Sequence, residues 1–247
     1  MTISFKDKVV IVTGSGNGLG RSHALQFAQR GAKIVVNDLG GTVDGSGGSS
    51  EAAEKVVEEI KKNGGEAIAN GSSVTDKAGV KKLVDDAMAA FGRIDVLVNN
   101  AGVLRDKSFA KVTLEDFEFV VDVHLMGSVY CTKAVWPVMV EQNYGRIVMT
   151  SSSSGVYGNF GQTNYGSAKL GVVGFMNSLK IEGQKYNIKV NSLIPVAATR
   201  MTESLMPKEA LEKLQPDVVS PAVLFMASDD APTGIMLSAG AGVYALA

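Results

Sequence analysis

A β-branched run, Val9-Val10-Ile11-Val12, passes directly into Thr13-Gly14-Ser15-Gly16-Asn17-Gly18-Leu19-Gly20 and then into the helix-forming stretch Arg21 to Arg30. Strand, glycine-rich turn and helix in that order are what binding a pyrophosphate requires. Glycine lets the backbone turn tightly and approach the ligand, and the free N–H groups and positive dipole end of the helix then face the phosphates. A second strand, Lys33-Ile34-Val35-Val36-Asn37, follows and ends on Asp38, where a carboxylate is placed to accept hydrogen bonds from an adenosine ribose.

The alternation continues along the chain. Strands are predicted at 8–13, 33–38, 66–70 and 94–98, and helices at 18–30, 50–63 and 76–91. For the helix at 50–63, Ser50 is a plausible N-cap, Glu51 and Glu54 suit the positive end, Lys61 and Lys62 the negative end, and Gly64 the stop. The preceding loop, Gly40 to Ser49, reads equally as a flexible connector or as a rim beside the adenosine. The second half predicts a helix at 113–141, a strand at 146–150, a helix at 163–185, a strand at 189–194 ended by Pro195, a helix at 221–228 and a short strand near 234–238. Segment 197–216, with Met201, Met206, Pro207 and Pro216, follows the carboxyl end of a strand, where open α/β sheets bind ligands, and reads as a substrate lid or as ordinary helix packing. The expected fold is therefore α/β: a single-domain, doubly wound parallel sheet with helices on both faces, formed by the whole of 1–247. Its cofactor-binding part is expected at about 5–150 and its catalytic helix and lid at about 151–220.

With 24 Lys and Arg against 25 Asp and Glu, the net charge is -1, and no footprint for nucleic acid or an anionic membrane exists. The single cysteine, Cys131, lies in an apolar stretch and reads as core, which fits a reducing compartment. Met1 to Lys8 lacks the apolar region of a signal peptide, no run is long enough to span a membrane, and Tyr244 to Ala247 is not a Ser-Lys-Leu address, so a cytoplasmic location is expected.

Tyr165 and Lys169 stand four residues apart, on one face of the predicted helix at 163–185, and Ser151 to Ser154 precede them. A phenol titrates near 10, and one close, partly desolvated ammonium could lower it by roughly two to three units, about 3 to 4 kcal/mol. Alone, the pair reads as a solvated helix face.

Taken together these features resemble the short-chain dehydrogenase/reductase family, with its Rossmann-type fold. Thr13, Gly14, Gly18 and Gly20 match the family's turn, Asn99 to Gly102 its Asn-Asn-Ala-Gly, and Ser152, Tyr165 and Lys169 its serine, tyrosine and lysine, the serine thirteen residues before the tyrosine. The resemblance implies an NAD-dependent oxidoreductase interconverting a secondary alcohol and a ketone. Tyr165 would exchange a proton with the substrate oxygen, Ser152 would hydrogen-bond that oxygen, and Lys169 would keep Tyr165 acidic and grip the nicotinamide ribose. It also implies cofactor contacts at Gly14, Asn17, Gly18, Leu19, Gly20, Asp38, Ser72, Ser73, Val74, Asn100, Ala101, Gly102, Tyr165, Lys169, Val196 and Thr199. Asn100 would lie near the adenosine-side ribose, and Ser72-Ser73-Val74 departs from the usual Asp-Val or Asp-Ser beside the adenine. Asp38 would repel a 2′-phosphate, and Ser15, Leu39 and Gly40 offer no cation to bind one, which favours NAD over NADP.

His124 stands where the family usually has asparagine supporting a water chain to the lysine. A histidine could bridge the same water and titrate near neutral pH, or be a satisfied interior residue; His23 reads as packing. Within the family the likeness narrows to the (3R)-hydroxyacyl-CoA dehydrogenase part of peroxisomal multifunctional enzymes of the second type, carried by Asn37-Asp38-Leu39-Gly40-Gly41, Gly102 to Phe109, Val123-His124-Leu125, Gly155 to Gln162 and Arg200-Met201-Thr202. It implies 3-hydroxyacyl-CoA as the substrate. Another secondary alcohol such as a steroid, or cofactor binding without turnover, are the alternatives. A homodimer or homotetramer through the two long helices is expected by resemblance.

Overall fold

The computed structural model describes residues 3–197 and 208–247. Among the described residues, seven parallel strands and one antiparallel strand form a single sheet: β1 Val9–Thr13, β2 Lys33–Asn37, β3 Glu66–Asn70, β4 Val96–Asn99, β5 Gly145–Thr150, β6 Ile188–Pro195, β7 Met236–Gly240 and β8 Val243–Leu246, in the order β3-β2-β1-β4-β5-β6-β7-β8. The order reverses between β1 and β4, so their carboxyl ends diverge into different crossovers and leave a crevice there, the usual ligand position in such sheets.

The central strands read as continuous apolar runs because both faces are covered. Val10, Val12, Ile34 and Val36 pack on one side with Phe27 of α1 Gly18–Ala28, Val56 and Ile60 of α2 Glu51–Lys62, and Val223 of α9 Ser220–Ala227. Ile11, Val35 and Leu97 point the other way, against Leu83 of α3 Lys77–Phe91, Val120 of α4 Leu114–Val121, Cys131 and Val135 of α5 Gly127–Gln142, and Val172 and Met176 of α7 Thr163–Glu182. Strand periodicity of two thus distributes one sheet between two cores. Cys131 is buried, as its apolar neighbours imply, and burial pushes its thiol up to about 12.

Four local expectations are revised. The helix expected over 113–141 is interrupted by a π turn, Asp122–Met126, between α4 and α5. A short helix, α6 Ser153–Tyr157, follows the serine run, capped by Ser152 Oγ accepting from Ser154 N at 3.2 Å. Beyond β7 the chain reverses through Ala241 and Gly242, both at positive φ, into antiparallel β8. Ser50 precedes α2 as expected, but its hydroxyl bonds Glu54 Oε1 at 2.7 Å rather than a backbone amide. Of the segment 197–216, residues 198–207 lie outside the described residues, including Thr199, Met201, Met206 and Pro207, and α8 Lys208–Lys213 occupies much of the rest. No described helix is long and apolar enough to cross a membrane.

Candidate active site and dinucleotide crevice

Thr13 ends β1 and ties it to the loop after β4. Its Oγ1 accepts from Asn100 N at 3.0 Å and Ala101 N at 3.1 Å, while Asn100 Nδ2 donates to the carbonyls of Thr13 at 2.9 Å and Gly14 at 3.0 Å. The Asn100 amide is therefore committed to holding the glycine turn itself. A Cβ on Gly14, whose φ is +63°, would lie 2.7 Å from Ala101 Cα, and one on Gly20 would lie 2.2 Å from the Gly14 carbonyl oxygen. Backbone approaches backbone here, and the N-terminus of α1 is left open, with no acidic residue in its first turn and no side-chain cap from Asn17. That cradle suits a phosphate; Gly18 and Leu19 complete its turn.

Asp38 sits at the end of β2 beside this turn, its Oδ2 accepting from Gly16 N at 2.7 Å and its Oδ1 from Gly40 N at 2.7 Å. A hollow of about 400 Å³ next to it is lined by Gly16, Asn17, Arg21, Gly40, Gly41 and Ser49, among others. Its two cations are already paired, Arg21 with Glu59 at 2.5 Å and Lys55 with Glu51 at 2.6 Å. Ser72, Ser73 and Val74 follow the end of β3, next to β2. Asn37 Nδ2 donates to the Ser72 carbonyl at 2.9 Å, Ser73 Oγ contacts Thr75 Oγ1 at 2.8 Å, and Val74 is buried.

The remaining groups meet around Tyr165 on α7. Ser151 is buried and donates to the Lys169 carbonyl at 2.7 Å, which fastens β5 to α7. Ser152 turns instead toward the phenol, and Ser153 and Ser154 enter α6. Lys169 is 4% exposed, donates from Nζ to the Thr150 carbonyl at 2.6 Å, and stands 5.4 Å from the Tyr165 ring centroid. The expectation that Lys169 lowers the phenol is not met. Burial pushes Tyr165 up to about 12, with Ser152 pulling down against it, and burial pulls Lys169 down to about 7. Desolvation disfavours both charged forms, and the ammonium is aimed at Thr150 rather than at the phenolic oxygen.

His124 lies in the π turn with its ring edge-on to Tyr165, centroids 5.0 Å apart. Its Nε2 is 2.8 Å from the Val103 carbonyl oxygen and 3.1 Å from Val103 N, so one tautomer can satisfy only one of the two contacts. Nδ1 is buried without a partner among the described residues. Burial, then the charge of Lys169, holds the imidazole well below its usual range, so it does not titrate near neutral pH. Its ring fills the space a Cβ on Gly102 would need. His23 is interior as expected, bonded through Nδ1 to Ser220 Oγ at 2.7 Å. Val196 sits past the end of β6, its amide donating to the Ala239 carbonyl at 2.8 Å.

Several residues around the site were not singled out from the sequence. Asn164, 1% exposed and adjacent to Tyr165, donates to the Arg105 carbonyl at 3.2 Å, and Gln162 Nε2 donates to Asp106 Oδ2 at 2.7 Å. Both bonds fix the loop after β4 against the start of α7; Arg105, Asp106 and Gln162 lie in stretches that carry the family likeness, and Asn164 was marked by its place next to Tyr165.

The family model described as short chain dehydrogenase matches residues 8–210. The chain belongs to that family. As a short-chain dehydrogenase it is an oxidoreductase. It is 54% identical over 243 residues to Peroxisomal multifunctional enzyme A of Dictyostelium discoideum, covering 98% of this chain and 54% of that one. It is 41% identical over 231 residues to the 3-oxoacyl-[acyl-carrier-protein] reductase of Synechocystis sp., covering 91% and 90%. A solved 7 alpha-hydroxysteroid dehydrogenase complexed with NADH and 7-oxo glycochenodeoxycholic acid superposes with a TM-score of 0.86 at 28% identity, over 97% of this chain and 95% of that one. The chain spans about half the length of the Dictyostelium relative.

Proposed function

We propose that this short-chain dehydrogenase uses NAD(H) to interconvert a 3-hydroxyacyl and a 3-oxoacyl thioester, with coenzyme A as the carrier. The observation that carries the reading is the meeting of Ser152, Tyr165 and Lys169 at the carboxyl ends of β5 and α7's first turns, beside a glycine cradle that a dinucleotide's phosphates fit. The cofactor supplies the hydride. A phenol held near 12 is protonated at neutral pH, so in the reductive direction Tyr165 donates its proton to the substrate oxygen while the Ser152 hydroxyl fixes that oxygen. Lys169 holds the far side of the site, and His124 acts as a positioning residue that seats the Tyr165 ring and the Val103 backbone.

Charge supports NAD over NADP. The hollow beside Asp38 sets two cations, Arg21 and Lys55, against two lining carboxylates, Glu51 and Glu59, with Asp38 adjoining through Gly16 and Gly40, and each cation is already paired. A 2′-phosphate there would meet net repulsion. Gly14, Asn17, Gly18, Leu19 and Gly20 would hold the pyrophosphate, Asp38 the adenosine ribose, Ser72 to Val74 the adenine, and Ala101, Gly102, Lys169 and Val196 the nicotinamide half; the proposed role of Thr199 falls outside the described residues. The thioester is supported by the Synechocystis relative, whose name records a 3-oxoacyl-[acyl-carrier-protein] substrate; coenzyme A as the carrier rests on the likeness carried by Asn37 to Gly41 and Val123 to Leu125. One domain carries the whole activity in this reading. The exposed Leu114, Leu170 and Ile181 on α4 and α7 support pairing of copies into a dimer or tetramer through these helices. The proposed location is the cytosol, in keeping with a buried free thiol; the name of the Dictyostelium relative makes the peroxisome the alternative that imaging of a tagged chain would reveal.

The test is NADH oxidation followed by absorbance with 3-oxoacyl-CoA substrates alongside a panel of simple and steroidal ketones, each repeated with NADPH. The reading predicts turnover of the acyl-CoA with NADH and a loss of most of the rate with NADPH. Reduction of a ketone but of no acyl-CoA contradicts the substrate, and equal rates with NADPH contradict the cofactor.

A further inference from the structure

The Gly40–Ser49 segment, read from sequence as either a connector or a rim, spans more of the crevice than either reading requires. Its neck is closed by Ser49 N donating to the Leu39 carbonyl at 2.8 Å, and its root is held by Gly40 N on Asp38 Oδ1. Its tip is a tight turn in which Asp44 accepts from Ser46 N at 3.1 Å and Ser46 Oγ at 2.8 Å. The tip then docks on the far side of the sheet's switch point. Leu104 N donates to the Val43 carbonyl at 2.9 Å, and Arg105 Nε to the Asp44 carbonyl at 3.1 Å. Because β1 lies between β2 and β4, a segment that leaves β2 and is bonded to the loop after β4 must cross the carboxyl end of β1, where the glycine turn sits.

Arg105 is the centre of that docking. Its guanidinium lies 4.0 Å from the Phe119 ring centroid and pairs with Asp116 Oδ1 at 3.0 Å, and its own carbonyl accepts from Asn164, next to Tyr165. Gly45 packs on the same ring, where a Cβ would be 2.7 Å from Phe119 Cε1, and its φ is +86°. Such a position tolerates only glycine without displacing the tip.

We propose that Gly40–Ser49 is a clasp across the dinucleotide crevice, latched by Arg105 against Phe119 and Asp116, and that release of the latch limits cofactor exchange. The proposal rests on the dinucleotide reading of the crevice. Arg105 is in this sense a positioning residue: it touches neither the reacting atoms nor the phosphates, and it acts through the Asp44 carbonyl. The latch also joins the residue at the ribose side, Asp38, to the loop that abuts the catalytic helix, so the cofactor and substrate halves of the crevice share one cover.

The experiment is stopped-flow displacement of NADH from the full chain, followed by its fluorescence, for the wild type, Arg105→Met, Arg105→Lys, Gly45→Ala and the double variant Arg105→Met/Gly45→Ala, each verified as folded by circular dichroism. The clasp predicts NADH release about tenfold faster in Arg105→Met and in Gly45→Ala, a smaller increase in Arg105→Lys, and a double variant no faster than the faster single, since both break one latch. A general loosening of the fold would instead multiply the two effects. Unchanged release in both single variants, or a double variant equal to the product of the singles, overturns the clasp while leaving the dinucleotide site standing. Failure of the wild type to bind NADH at all overturns the cofactor reading and the clasp with it.

Discussion

Lys169 is the residue whose physics departs most from what its spacing implies. With its folded value near 7 and its ordinary value at 10.5, it is charged in both states below pH 7, where the folded protein bears the full cost of a buried ammonium. Between about 7 and 10.5 the unfolded chain binds a proton that the folded chain does not, so this contribution to stability rises with pH. Lys169→Met is therefore expected to be more stable than the wild type near pH 6.5, with the advantage shrinking toward pH 10, as denaturant midpoints at the two pH values would show; a constant or growing advantage contradicts the burial argument. Asp38 governs a different quantity. Asp38→Ser removes the carboxylate that adjoins the hollow through Gly16 and Gly40, and the NADH to NADPH ratio of kcat/KM is expected to fall by about tenfold or more, since one repelling charge near a phosphate amounts to about 1 to 2 kcal/mol. At this scale the sequence was most informative where a residue type is uniquely suited. Four serines preceded Tyr165, and spacing selected the one whose side chain meets the phenol. The same sequence could not show the direction of the Tyr165 shift, because desolvation depends on residues from β5, α4 and α7 that come together only in the fold.

Element boundaries were legible wherever periodicity and breakers agreed, as in β1, β2 and α1. The π turn at Asp122–Met126 was not, since 113–141 carries an unbroken helical pattern and an extra residue in one turn leaves no compositional trace. Its consequence is functional: the wider turn carries the His124 ring that lies edge-on to Tyr165, with Nε2 against Val103. His124→Leu, which keeps the volume and removes the bond to Val103, is expected to cost about 1 to 3 kcal/mol by denaturant unfolding; a change within experimental error would show that the Val103 bond holds nothing. β8 escaped notice because its four residues are exposed and its turn, Ala241-Gly242, is not a common hairpin pair. α3 is capped by Asp76, whose carboxylate accepts from Ala78 N at 3.0 Å and Gly79 N at 3.1 Å. Asp76→Ala is expected to lower stability by about 1 kcal/mol, with the KM values for substrate and cofactor unchanged.

At the scale of the molecule, one sheet with its order reversed between β1 and β4 gathers residues from the ends of six strands into one crevice. That architecture followed from the alternation of strands and helices, which admits few topologies. What the alternation could not show was the cover, because the Gly40–Ser49 segment has no periodicity and its anchor, Arg105, is distant in sequence. The central claim is that the sheet brings Ser152, Tyr165 and Lys169 together to move a proton as hydride passes to or from NAD. Tyr165→Phe removes the transferable proton and little else, so the most direct measurement is its turnover of a 3-oxoacyl-CoA with NADH, paired with its NADH affinity by fluorescence. The account predicts a rate lower by at least about 100-fold with affinity for NADH retained. Turnover equal to the wild type would contradict it.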